Sequence, residues 1–91
     1  MRFEWNPQKA HINLSKHGID FAEATTVFTD SLSVTYVDPD HSQNEERWII
    51  IGMSVRKRLL IVAHTDRGES VRIISAREVT RRERKLYEDG I

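Results

Sequence analysis

RWIIIGMSVRKRLLIVAHTDRGESVRIIS, residues 47–75, is the stretch whose reading decides the fold. It holds three runs rich in β-branched and aliphatic side chains, Arg47 to Ser54, Leu59 to Thr65 and Ser70 to Ser75. Between them lie Val55 to Arg58 and Asp66-Arg67-Gly68-Glu69, both of hairpin length, so the pattern predicts an antiparallel meander. Strand side chains alternate, which puts Arg47, Ile49 and Ile51 on one side and Glu46, Trp48 and Ile50 on the other; Arg72 and Ile74 likewise oppose Val71 and Ile73. Both faces are partly apolar, so the alternation leaves open which of them meets helices.

Working outward, Ser33 to Val37 reads as a further strand closed by the turn Asp38-Pro39-Asp40. At the amino end a short strand, Arg2 to Trp5, precedes Asn6, which caps a helix with Pro7 at its first position; Gly18 stops that helix after His17. Its stripe of Ala10, Leu14 and His17 is expected to face inward. Asp20 with Glu23 forms a capping box, stapled by Ile19 against Ala24, and opens a second helix with Ala24, Val27 and Phe28 on its core side. Downstream, Ser75 with Glu78 reads as another capping box, opening a last helix with Val79, Leu86 and Tyr87 along one side. This order predicts an α+β fold: an antiparallel sheet of about four to five strands with two N-terminal helices and one C-terminal helix. The helices are expected on one face, leaving the other open to a nucleic acid or a partner chain.

Ninety-one residues suit one domain spanning 1–91. The absence of cysteine excludes a disulfide scaffold and cysteine-ligated zinc. The amino terminus lacks the apolar core of a signal peptide, and the longest apolar stretch, Trp48 to Ile51, is too short to span a bilayer, so a cytoplasmic protein without membrane contact is expected. The formal net charge is zero but unevenly spread. Residues 1–46 carry three basic and eight acidic side chains, and residues 47–91 eleven and six. A polyanion would dock on the carboxyl half; the competing reading is a solvated surface with unevenly distributed ion pairs.

The densest chemical constellation is Arg72, Ser75, Arg77, Arg81, Arg82 and Arg84. Guanidinium forks bond phosphate oxygens in pairs and stay charged at any working pH, so they can stabilise a phosphorane-like transition state. A helix laced by pairs such as Glu78 with Arg82 would give a similar pattern with no ligand. Arg72 is harder to read that way, since it sits amid Val71, Ile73 and Ile74 on a strand. Arg56-Lys57-Arg58 adds a basic hairpin. Glu46 beside Arg47 places opposite charges at the mouth of a strand, and among His11, His17, His41 and His64 the candidates for proton transfer are His17 and His64. Asp38, Asp40, His41 and Glu45 form an acidic cluster, but Asp-Pro-Asp is ordinary turn composition and completes no recognised metal spacing, so no metal and no cofactor is assigned. Walker A, dinucleotide, Gly-x-Ser-x-Gly and zincin motifs are absent from the sequence.

Several blocks, taken in order, resemble the BrnT family of toxins from type II toxin–antitoxin pairs. They are Trp5-Asn6-Pro7 with Lys9-Ala10, Asn13, Lys16-His17-Gly18, Phe21 and Ala24; Val27-Phe28 with Asp30; Glu46-Arg47-Trp48 leading to Ile51-Gly52; and Arg72-Ile73-Ile74-Ser75-Ala76-Arg77 with Thr80, Glu83-Arg84 and Tyr87. Two departures are Asn6 where an Asp is usual, which keeps the cap, and Arg56-Lys57-Arg58 where the first hairpin usually has a Gly. The resemblance implies a RelE-like fold, an endoribonuclease that arrests growth, a BrnA-like antitoxin that neutralises it in a hetero-oligomer, and contact with operator DNA only through that antitoxin. It also implies metal-independent attack of the RNA 2′-hydroxyl on the adjacent phosphate. On that footing Arg47, Arg72 and Arg77 are the expected phosphate clamps, Glu46, His17 or His64 the acid or base, and Arg81, Arg82, Arg84 and Lys57 the RNA-binding periphery. The alternative is a non-catalytic module that binds nucleic acid or a protein.

Overall fold

The computed structural model describes residues 1–41 and 45–90. Five strands form one sheet: β1 (Arg2–Glu4), β2 (Val34–Val37), β3 (Arg47–Met53), β4 (Leu59–Arg67) and β5 (Ser70–Glu78). Their order across the sheet is β1-β5-β4-β3-β2. The meander β2 to β5 is antiparallel as expected, but β1 runs parallel to β5, with Phe3 opposite Val71, so the sheet is mixed. A parallel partner requires a long crossover, and the two N-terminal helices and three antiparallel strands supply it.

Helix α1 (Pro7–His17) starts at Asn6, whose side chain accepts from the Gln8 and Lys9 amides, and ends at Gly18 in the left-handed region. Of its expected inward stripe Ala10 packs against the core, but Leu14 is 48% exposed, and the buried residue of the helix is Asn13. Asn13 Nδ2 donates to the carbonyls of Ile19 and Ala76, and its Oδ1 accepts from the Ala76 amide. A buried polar side chain with its bonds filled holds α1 to β5 in one register, an outcome hydrophobic periodicity does not encode. Helix α2 (Phe21–Thr25) begins at the Asp20 cap and runs into a 3-10 turn, Thr26–Thr29. That turn lies directly on β3: a Cβ on Gly52 would stand 3.0 Å from the Val27 carbonyl oxygen.

The Ser75–Glu78 pair does not cap a helix, because both residues belong to β5, where Ser75 pairs with Ala63 and Glu78 with Leu60. Strand pairing satisfies the same backbone groups and continues the sheet. The capping box is instead Thr80 with Glu83, which opens α3 (Arg81–Asp89).

The expectation of helices on one face is also corrected. Ile19, Phe21, Ala24 and Val27 from the α1–α2 region pack on Ile50, Leu60, Val62, Val71, Ile73 and Ala76. A second cluster, Val34, Ile51, Leu59 and Ile61 with Val79, Leu86 and Tyr87, lies on the opposite face. Each face is apolar at one residue in two, so each needs cover, and α3 supplies it for part of the second.

Candidate active site

The register defines which strand residues share the α3 side. One row across the sheet is Val34, Ile51, Ile61 and Arg77; the next is Tyr36, Ile49, Ala63 and Ser75. Farther along stand Arg47, Thr65, Arg72 and Glu4, each paired with the next. The apolar side of α3 packs on the first row, with Tyr36 and Ile49 at its margin. The row from Arg47 to Glu4 is open enough that the Arg72 side chain is 31% exposed and that of Glu4 40%.

A β-bulge makes this grouping possible. Opposite Ala63 and His64, β5 carries Ser75 and Ile73, leaving Ile74 as the extra residue. An odd separation of five positions would point Arg72 and Arg77 to opposite faces. The inserted residue reverses the alternation, so Val71, Ile73 and Ala76 all enter the α1–α2 core while Arg72, Ser75 and Arg77 share the other face.

Each of these arginines is held by a carboxylate. Arg72 Nη1 donates to Glu4 Oε2 at 2.7 Å. Arg77 makes a fork to Glu83, Nη1 to Oε1 at 2.8 Å and Nη2 to Oε2 at 2.9 Å. Glu83 Oε1 also accepts from the Thr80 amide, so the same carboxylate caps α3. The Arg77 fork is the main reason the Glu83 carboxyl titrates below its usual range, and Glu83 in turn raises Arg77. Burial, reinforced by the charges of Glu83 and Asp38 and opposed by Arg77, raises the Tyr36 phenol. Thr65 is 3% exposed, and its buried hydroxyl has no hydrogen-bond partner among the described residues. The structure places Arg47, Arg72 and Arg77, the three expected clamps, on one face with Thr65, Tyr36, Glu83 and Glu4, which the sequence did not single out together.

The two histidines expected as proton carriers fall on the other side of the sheet. His64 pairs with Trp48 and Ile73, lies on the α1–α2 side and is 5% exposed, its ring 4.9 Å from that of Phe28. Burial holds its pKa below the ordinary value. His17 ends α1, in the layer on that same side. Glu46 is exposed and precedes β3. Arg81, Arg82 and Arg84 are exposed on α3, and Lys57 is exposed in the β3–β4 turn with a positive φ of 63°. The amide of Val79 donates to the Leu59 carbonyl, which brings the start of α3 to the same end of the sheet as that turn. In the acidic cluster, His41 Nδ1 stands 3.0 Å from Asp38 Oδ2 and Glu45 is forked onto Arg67. Among the described residues, no group of three or more His, Asp or Glu is arranged to hold a metal ion.

A mixed sheet with two helices on one face and one on the other, and an arginine-bearing open area, has known counterparts. The family described as "Ribonuclease toxin, BrnT, of type II toxin-antitoxin system" matches residues 5–83. The chain belongs to the BrnT family. The matched segment contains Arg47, Thr65, Arg72, Arg77 and Glu83, and Glu4 immediately precedes it. The crystal structure of the Brucella abortus ribonuclease toxin BrnT superposes with a TM-score of 0.65 at 25% sequence identity, covering 89% of this chain and 99% of that one. No curated protein matches the chain. BrnT proteins are ribonuclease toxins of type II systems, a setting that implies an RNA substrate and an antitoxin partner. No helix among the described residues of this BrnT chain is long and apolar enough to cross a membrane.

Proposed function

We propose that this chain cleaves RNA on the α3 side of its sheet, by metal-independent attack of a 2′-hydroxyl on the neighbouring phosphate. The observation that carries the reading is the row of Arg47, Thr65, Arg72 and Glu4, continued by Arg77 through the β5 bulge. Guanidiniums fixed on strands stabilise the charge that grows on phosphate oxygens in the transition state, and rigid strands cost little reorganisation at that moment. At 3.3 Å per residue, Arg72 and Arg77 stand roughly 15 Å apart along β5, and each is turned to a different carboxylate. They therefore hold different phosphates of one strand. Arg81, Arg82, Arg84 and Lys57 extend the positive border along which RNA is held. A BrnA-like antitoxin neutralises the toxin, and operator DNA is contacted only through it.

The test is incubation of the purified chain, free of antitoxin, with total RNA in excess chelator, followed by mapping of new ends. Cleavage that survives the chelator and is lost in Arg72→Ala is expected. Intact RNA with both proteins, alongside tight salt-sensitive binding, would point instead to a non-catalytic nucleic-acid module.

A further inference from the structure

Transfer of the 2′-hydroxyl to phosphorus needs a base within hydrogen-bond reach of that hydroxyl, on the face that binds the phosphate. Both histidines considered for the role lie on the other side of the sheet or in the helix layer there. Glu46 adjoins Arg47 but precedes β3 and is exposed, so the sheet does not hold it on the face that carries the arginine row. Three carboxylates are left near the site's own face, Asp38, Glu83 and Glu4, and the structure separates them: Asp38, next along from Tyr36, has Oδ1 on the Asp40 amide and Oδ2 3.0 Å from His41 Nδ1. Glu83 has both oxygens engaged by Arg77 and the Thr80 amide, and releasing them would undo the start of α3. Glu4 has one oxygen, Oε2, on Arg72, while Oε1 takes no hydrogen bond among the described residues. Its side chain is 40% exposed at the open end of the arginine row.

We propose that Glu4 is the catalytic base of this site; the inference rests on the reading that RNA is cut on the α3 side of the sheet. Arg72 holds a non-bridging oxygen of the phosphate with donors it does not give to Glu4. Glu4 Oε1 takes the proton of the 2′-hydroxyl, the 2′-oxygen forms a bond to phosphorus, and the bond from phosphorus to the 5′-oxygen breaks. The leaving 5′-oxygen takes a proton from water, and Glu4 returns its proton to the hydroxide so formed. The products are a 2′,3′-cyclic phosphate end and a 5′-hydroxyl end, with no change of oxidation state. The ion pair to Arg72 keeps the base beside the phosphate it serves, which a carboxylate free to swing would not achieve.

The experiment compares the native full chain with Glu4→Gln, Glu4→Asp and Arg72→Ala. Cleavage is read as new RNA ends after induction in bacteria without antitoxin. Binding is read with each purified protein on a fluorescent 2′-O-methylated RNA of mixed sequence, which cannot be cut. Glu4→Gln is expected to lose on the order of 100-fold in cleavage. It should bind the methylated RNA at least as tightly as native, because a negative charge beside the phosphate is gone. Glu4→Asp, which keeps the carboxylate, should recover part of the cleavage. Native-like cleavage by Glu4→Gln overturns the proposal, as does a parallel loss of binding, which would make Glu4 a positioning residue for Arg72. If Arg72→Ala binds and cuts as native does, the site reading itself fails; if Arg72→Ala is impaired while Glu4→Gln cuts normally, only the assignment of the base fails.

Discussion

Arg72 and Arg77 carry the same charge in different structural settings. Arg72 has a single bond to a partly exposed glutamate on an edge strand, whereas Arg77 is forked onto the residue that caps α3. Arg72→Ala should therefore abolish RNA cleavage with a melting temperature close to native. Arg77→Ala should also cost about 0.5–1 kcal/mol, since the pair is partly solvated, and calorimetry of the two variants would separate them. His64 offers a contrasting case. Its two ring nitrogens are buried without hydrogen-bond partners among the described residues, and burial lowers its pKa despite the opposing charge of Asp66. The folded state holds the imidazole neutral while the unfolded chain accepts a proton near 6.5. Stability from this residue is thus fully present above that pH and falls as pH drops from 6.5 toward the lower folded value. His64→Leu fills the site without stranded nitrogens and should be neutral or stabilising at pH 7. In urea titrations from pH 7 to 5 it should lose less stability than native.

At the scale of elements, α3 is fastened at both ends by polar contacts. Its start is held by Arg77 and the capping box; near its end the Tyr87 hydroxyl donates to Asp30 Oδ2 at 2.7 Å. That bond is the main reason the Tyr87 phenol is pushed up to about 12. Burial acts to raise the Asp30 carboxyl, but bonds from the Met53 amide, Tyr87 and the Leu32 amide outweigh it and hold Asp30 below its usual range. Tyr87→Phe should cost about 1–2 kcal/mol, read as a shifted urea midpoint, while cleavage at a temperature where the variant is folded stays native. Gly52 marks the opposite face. Alanine there would press on the Val27 carbonyl oxygen at 3.0 Å and on the Val27 and Ser33 Cβ atoms at 3.1 and 3.2 Å, so the 3-10 turn has to lift. Gly52→Ala should destabilise by about 1–3 kcal/mol in the same assay.

Across the whole molecule, the contrast between an acidic amino half and a basic carboxyl half is partly annulled by folding. Glu4 meets Arg72, Glu23 meets Arg58 and Glu45 meets Arg67, each ion pair joining one half to the other. The Glu23 pair is buried on the carboxylate side, and Glu23 Oε2 also accepts from Ser54 Oγ at 2.7 Å and from Arg58 Nε at 3.0 Å. The bond from Arg58 is the largest cause of the lowered Glu23 pKa. A carboxyl depressed in the folded state stabilises above its ordinary value of 4.5, and that contribution is lost as pH falls through the folded value. Glu23→Ala, which takes the acceptor from the Ser54 hydroxyl and the carboxylate from Arg58, should cost about 2–3 kcal/mol at pH 7, and the deficit should shrink below pH 4 in acid-melting curves. Among the described residues, Arg81, Arg82, Arg84 and Lys85 on α3 and Arg56 and Lys57 in the β3–β4 turn are in no salt bridge, so the positive field available to RNA is more local than the charge of the carboxyl half suggests.

The sequence by itself determined the order of elements, the caps at Asn6, Gly18 and Asp20, the meander from β2 to β5, and Arg47, Arg72 and Arg77 as residues to ask about. These follow from local chemistry: alternation, turn composition and capping act over a few residues and survive without knowledge of the rest. Other features belong to the tertiary structure. The parallel pairing of β1 with β5 brings Glu4 to Arg72 across 68 positions. The bulge at Ile74 decides that Arg72 and Arg77 share a face, and strand pairing through Glu78 overrides a serviceable capping box at Ser75. Asn13 displaces Leu14 from the core because two of its three bonds go to Ala76 on β5, 63 positions away. In each case the deciding bond joins residues distant in sequence, so no local pattern could carry it.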